Sequence, residues 1–209
     1  MNDTATHLYA CELDDTRALR VDIYRLLAGL LRAAPDRDLL DWLASLEIDD
    51  PSSSLAPHWQ ALAGAANDTD VETLKRAHFR HLVGVIQGEV VPYASWYLNG
   101  ELMDMALVNL RRDLTALGIE RSDATRDPED HLAALCEVMA LLIEARSADD
   151  ARFFMTHIAP WATRFLDDLA SVDTPFYSRL GRLGRAFIDK EEALSANQAA
   201  HEPVRLVEP

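Results

Sequence analysis

Apolar side chains recur along most of this chain at steps of three and four residues, the spacing that gathers them on one face of an α-helix. Leu19, Ile23, Leu26, Leu27, Leu30 and Leu31 mark a first amphipathic helix. Pro35 separates it from a shorter one around residues 39–46, and the two together predict a helical hairpin. After a loose segment at residues 49–54, residues 58–66 read as another helix. Thr69 and Glu72 make a capping box for the next, which runs to about Val83. Leu102, Met105, Ala106, Leu110, Leu114 and Leu117 define a long helix ended by Gly118.

The most legible helix start lies after Asp127. Asp127 is suited to cap it and Pro128 to its first position, and Leu132, Leu135, Cys136, Met139, Leu142 and Ile143 follow as one apolar stripe. Asp149 opens a further helix through Phe153, Phe154 and His157. Pro160 forces a kink or restart, and Trp161, Phe165, Leu166 and Leu169 continue the apolar face. Thr174 and Pro175 begin the last helix, with Leu180, Leu183, Phe187 and Ile188 inward.

No run alternates between hairpin turns, so the predicted fold class is all-α, a single helical-bundle-like domain over residues 15–195 with a hinge near residues 115–130. Its N-terminal helices span residues 15–118, the hinge residues 119–127 and its C-terminal helices residues 128–195. Flexible tails are expected at residues 1–14 and 196–209.

A length of 209 residues with 49% hydrophobic content suffices for one core. Charge changes the functional picture more: 20 Lys+Arg against 35 Asp+Glu give −15, so phosphate backbones and anionic membrane surfaces repel the chain. Nucleic-acid binding and stable membrane insertion are not expected. The N-terminus lacks a basic flank followed by an apolar run, which predicts a cytoplasmic protein. Cys11 and Cys136 have no second Cys at metal or redox spacing.

Catalytic signatures are absent: no P-loop, no Rossmann glycine fingerprint, no nucleophile elbow and no zincin helix. A di-iron bundle needs Glu-x-x-His pairs, yet the residues three before His78, His131 and His157 are Lys75, Pro128 and Phe154. His78 and His81 share a helix face and read as surface histidines. Two segments stand out. Residues 88–100, GEVVPYASWYLNG, crowd Val90, Val91, Pro92, Tyr93, Trp96 and Tyr97 between glycines, either to plug the core or to form a binding surface. Residues 127–131 read Asp-Pro-Glu-Asp-His. The acidic residues suit a helix N-terminus, but a protonated His131 would oppose the dipole. A neutral ring bonded to Asp130 or Asp127, or a functional contact, would account for it.

Together with FRHLVG at residues 79–84, HIAPWATRFLDDL at 157–169 and PFYSRLGRL at 175–183, these segments resemble the TorD/DmsD family of cytoplasmic chaperones for molybdenum-containing redox enzymes. The resemblance covers roughly the last two-thirds of the chain. It implies an all-helical fold, no enzymatic turnover and no cofactor, with GTP binding implied by family alone and no phosphate cradle visible. It also implies two partners: the apo form of a molybdopterin-containing oxidoreductase and its twin-arginine signal peptide, held until cofactor insertion. Tyr93, Ser95, Trp96 and Tyr97 would belong to the client-binding region, with Asp127, Pro128, Asp130 and His131 as the family's hinge motif. Asp127 stands where that motif has Glu, and Ala94 where a Gly is common. The peptide's apolar part is expected against Trp96 and Tyr97, its arginines against carboxylates such as Asp130. The hinge would also permit a homodimer by exchange of C-terminal helices. The alternative from another class is a helical-bundle hydrolase or metal-binding enzyme using the cluster from Asp127 to His131.

Overall fold

The computed structural model describes residues 2–48, 50–84, 87–121 and 127–201, with side chains placed within residues 14–197 of these stretches. The fold is all-α, as the periodicity predicts; among the described residues the sole extended pairing is an isolated antiparallel bridge between Tyr93 and His131. No helix of the described residues is long and apolar enough to cross a membrane.

Helix α1 (Asn2–Arg32) buries Tyr24, Leu27, Leu30 and Leu31. Its backbone is helical from Asn2, through the stretch that the hydrophobic pattern assigned to a tail. Helix α2 (Arg37–Ala44) is capped by Asp36, whose carboxylate accepts from the Leu39 N–H at 2.9 Å. The expected α1–α2 hairpin does not form. Helix α2 packs on α3 (Ala56–Asn67), while α1 lies along α7 (Leu132–Glu144). The reason is in α7 itself: Leu132, Ala133, Leu135, Cys136, Val138, Met139, Ala140, Leu142 and Ile143 are all buried, so this helix needs neighbours around most of its circumference. The single apolar stripe read from its sequence was too narrow.

Helix α4 (Val71–His78) starts one residue later than the capping-box reading. Asp70 is the cap, taking the Thr73 N–H at 2.9 Å and the Thr73 hydroxyl at 2.7 Å. It widens into a π-helical turn, Phe79–Val83, that stops at Gly84 with φ +64°. Short α5 (Ala94–Asn99) and longer α6 (Met105–Ala116) follow. Gly118, at φ +69°, ends the latter as predicted.

On the C-terminal side α8 (Asp150–His157) and α9 (Ala162–Ala170) are separate helices with Pro160 between them, and α10 (Pro175–His201) packs along α9. Gly181 and Gly184 allow that close approach. A buried polar staple joins the termini: Glu191 of α10 accepts from Arg20 at 2.7 and 2.8 Å and from the Tyr24 hydroxyl at 2.9 Å. Of the expected hinge at residues 119–127, residues 122–126 lie outside the described residues.

Candidate functional site

The site is built where two segments about 35 residues apart in sequence cross. Backbone bonds from Val90 N–H to the His81 carbonyl (2.8 Å) and from Glu89 N–H to the Arg80 carbonyl (3.2 Å) anchor the chain leaving the π-helical turn. Val90, Val91 and Pro92 are then buried. The carbonyl of Pro92 accepts the Leu132 N–H at 2.8 Å, and Ala94 N–H donates to the Asp130 carbonyl at 3.0 Å. These two bonds form the Tyr93–His131 bridge. Beyond it the chain turns into α5, so the segment read from sequence as an aromatic loop contains a helix.

Side chains reinforce the crossing. Ser95 donates to one oxygen of Asp130 twice, from its hydroxyl at 2.6 Å and from its backbone N–H at 3.0 Å. The other carboxylate oxygen, Oδ1, is buried with no hydrogen-bond partner. His131 Nδ1 accepts the Ala133 N–H at 3.0 Å, making His131 the N-cap of α7. Burial, with the charges of Arg32 and His78 adding to it, lowers the His131 pKa to about 3. The ring is therefore neutral, with its proton on Nε2. Tyr93 meets it edge-on at 5.0 Å between ring centroids. Burial pushes the Tyr93 phenol up to about 12, helped by the charges of Asp127 and Asp130.

This corrects the cap assignment. Asp127 and Pro128 lead into a turn closed by His131 N–H donating to the Pro128 carbonyl at 3.2 Å, and the helix starts four residues later than predicted. Asp130 is drawn inward by Ser95, which leaves a histidine to cap, something only a neutral imidazole can do. The misfit of His131 with the dipole was the correct signal. Its partner is the Ala133 N–H, not Asp130 or Asp127.

Tyr93, Ser95, Asp127, Pro128, Asp130 and His131 all border one open cavity of about 260 Å³, whose apolar walls include Leu31, Leu82, Val90 and Val91. Trp96 and Tyr97 do not line it. Tyr97 stacks on Trp161 at 5.7 Å and donates its hydroxyl to Asp168 at 2.6 Å, while Trp96 is 37% exposed. The aromatic segment thus divides, with Tyr97 packed against α9 and Trp96 at the surface. The histidines read as superficial are buried: His78 donates Nε2–H to the Leu31 carbonyl at 3.2 Å, and His81 bridges Glu89 (2.6 Å) and Thr174 (2.8 Å). Their face of the helix meets α1 and the start of α10, which periodicity in an isolated helix does not reveal. Arg32, which is 3.8 Å from Asp127 and lines the cavity, was also missed, since nothing in sequence links α1 to residue 127.

Among the described residues no group of three or more His, Cys, Asp or Glu is placed to hold a metal ion. A family model described as nitrate reductase delta subunit matches residues 48–167. The Tat proofreading chaperone DmsD of Salmonella typhi is 30% identical over 157 residues, which cover 73% of this chain and 74% of that protein. The chaperone protein TorD of Actinobacillus succinogenes is 29% identical over 104 residues, 47% of this chain and 54% of TorD. The chain belongs to the TorD/DmsD family of redox enzyme maturation chaperones. A solved structure from Archaeoglobus fulgidus, of a protein assigned to redox enzyme maturation, shares the fold with a TM-score of 0.55 at 16% identity, over 82% of this chain and 94% of that one. As a TorD/DmsD chaperone the chain is no enzyme, which retires the hydrolase alternative. Consistent with this, His131 Nδ1 and one oxygen of Asp130 are spent inside the protein.

Proposed function

We propose that this chaperone works in the cytoplasm, where it binds the twin-arginine signal peptide and the apo form of a molybdopterin-containing oxidoreductase and holds them until the cofactor is inserted. The observation that supports the reading is the crossing of residues 90–95 with residues 127–131, which borders an open cavity with apolar walls and carboxylates. A peptide that begins with arginines and continues apolar needs both in one place. Asp127 is the accessible carboxylate, its side chain 46% exposed, and an incoming guanidinium would exchange with Arg32 there. Asp130, 1% exposed, shapes the wall and offers its unpartnered oxygen from beneath. The apolar run of the peptide would follow Leu82, Val90 and Val91, with Trp96 free to meet the unfolded body of the client.

Calorimetry with a synthetic twin-arginine signal peptide tests this. Binding that weakens as salt is raised is the expected result, because the arginine contacts are partly screened. No binding at low salt would overturn the reading. Co-purification of a molybdoenzyme with the tagged chain would identify the client.

A further inference from the structure

We infer that the connection between α5 and α6 is a preset apolar lip that presses on the apolar run of a basic-then-apolar peptide, and that Asp130 positions it through Ser95. The inference rests on the functional reading above and extends it to residues 100–108. Gly100 and Met103 both take left-handed backbone conformations in this short connection, at φ +81° and +60°. Glycine adopts that region freely. A methionine is disfavoured there and keeps it only where surrounding structure holds it. The restraint is visible: the Met103 N–H donates to the Ser95 hydroxyl oxygen at 3.2 Å, and that hydroxyl donates to Asp130.

The outcome of this restraint runs against what folding alone favours. Met103 is 71% exposed and Leu102 49%, yet both border the cavity. The exposed strip continues on α6 through Met105 (56%) and Val108 (54%). Unbranched methionines adapt to varied apolar partners, which suits a receptor for sequences of loose consensus. Glu101 and Asp104 flank the two apolar residues in sequence, and Asp104 also accepts from the Asn99 side-chain amide, so the lip carries acidic neighbours along the chain. That charge pattern matches a peptide with arginines next to an apolar run. A second copy of the chain would set the same carboxylates against one another.

The test uses two synthetic probes, a full twin-arginine signal peptide and its basic start without the apolar run. Met103→Gly removes the side chain and relieves the left-handed strain. It should bind the full peptide about tenfold more weakly, the loss expected for one partly buried methionine. Its affinity for the basic start should match wild type, and its melting temperature should not fall. Ser95→Ala should speed hydrogen exchange at the Met103 amide and weaken the full peptide in the same direction. Unchanged affinity of Met103→Gly for both probes, or unchanged exchange in Ser95→Ala, would overturn the inference while leaving the functional reading intact. Wild-type protein that binds neither probe would overturn both. A concentration-dependent dimer abolished by Met103→Gly would assign the lip to a second copy and reject the peptide.

Discussion

Ser95 and Asp130 form a closed pair: one carboxylate oxygen takes both the hydroxyl at 2.6 Å and the backbone N–H at 3.0 Å, and neither residue is more than 1% exposed. The pair ties the start of α5 to the turn before α7, so the two motifs that line the cavity are joined by side chain as well as by backbone. Removing the hydroxyl leaves a buried carboxylate with one donor fewer. Ser95→Ala should cost about 2 kcal/mol of stability, within the range for a hydrogen bond to a charged group. Urea unfolding measures it, and a loss below about 0.5 kcal/mol would show that the pair contributes little.

Stability should fall with acid through His131. In the folded protein its pKa is about 3, against an ordinary value of 6.5 in the unfolded chain. Between those values the unfolded state binds the proton and the folded state does not, so the stabilisation is complete above about pH 6.5 and is lost as pH drops toward 3. At pH 5 the loss amounts to about 2 kcal/mol. Burial lowers His78 and His157 as well, adding in the same direction. His131→Asn keeps a capping side chain without a titrating ring, so its unfolding free energy should vary less between pH 7 and pH 5. Equal pH slopes in the two proteins would show that His131 is not the sensor.

The staple between α1 and α10 depends on its whole set of partners. Arg20→Ala leaves the carboxylate of Glu191, which is 2% exposed, with the Tyr24 hydroxyl but without its cation, and should cost about 3 kcal/mol or more. The double replacement Arg20→Met with Glu191→Met removes both charges and should be much less costly than the single change. A double-mutant comparison by thermal unfolding checks this, and additive losses would contradict it.

The α9–α10 contact sets apart two glycines that look alike in sequence. A Cβ on Gly181 would strike the backbone nitrogen of Ala170 and lie 2.8 Å from the Leu166 carbonyl oxygen, so the helices must separate. On Gly184 it would meet the Leu166 Cδ2 at 2.7 Å, the end of a side chain that can turn aside. Gly181→Ala should therefore destabilise by about 3 kcal/mol and Gly184→Ala by about 1 kcal/mol or less. The reverse order would contradict a close backbone approach of α9 and α10 at Gly181.

Much of the fold was legible because helix formation is written locally. The three-to-four spacing located most of the helices, though not α5 or the first turns of α1; Pro35 and Pro160 marked breaks, and Gly118 marked an end. The errors fell where tertiary contacts overrode a good local signal. Asp127 had every property of a cap, yet His131 took the role once Asp130 turned inward to Ser95. One error was local instead: Thr69 and Glu72 fitted a capping box, but Asp70 is the cap and takes both the N–H and the hydroxyl of Thr73. His78 and His81 looked superficial because one helix viewed alone does not show which neighbours cover it.

By itself the sequence determined the all-α class, the helix periods and the motif residues that carry the resemblance to TorD and DmsD. Each follows from side-chain spacing within a few turns, or from residue types in a fixed order. Only the tertiary structure decided that Tyr93 would bridge to His131, that Ser95 would hold Asp130, and that Trp96 and Tyr97 would leave the cavity to their neighbours. Those pairings join residues far apart in sequence. Their geometry depends on how α1, α7, α9 and α10 pack around one core, a collective balance of burial against strain that no local pattern encodes.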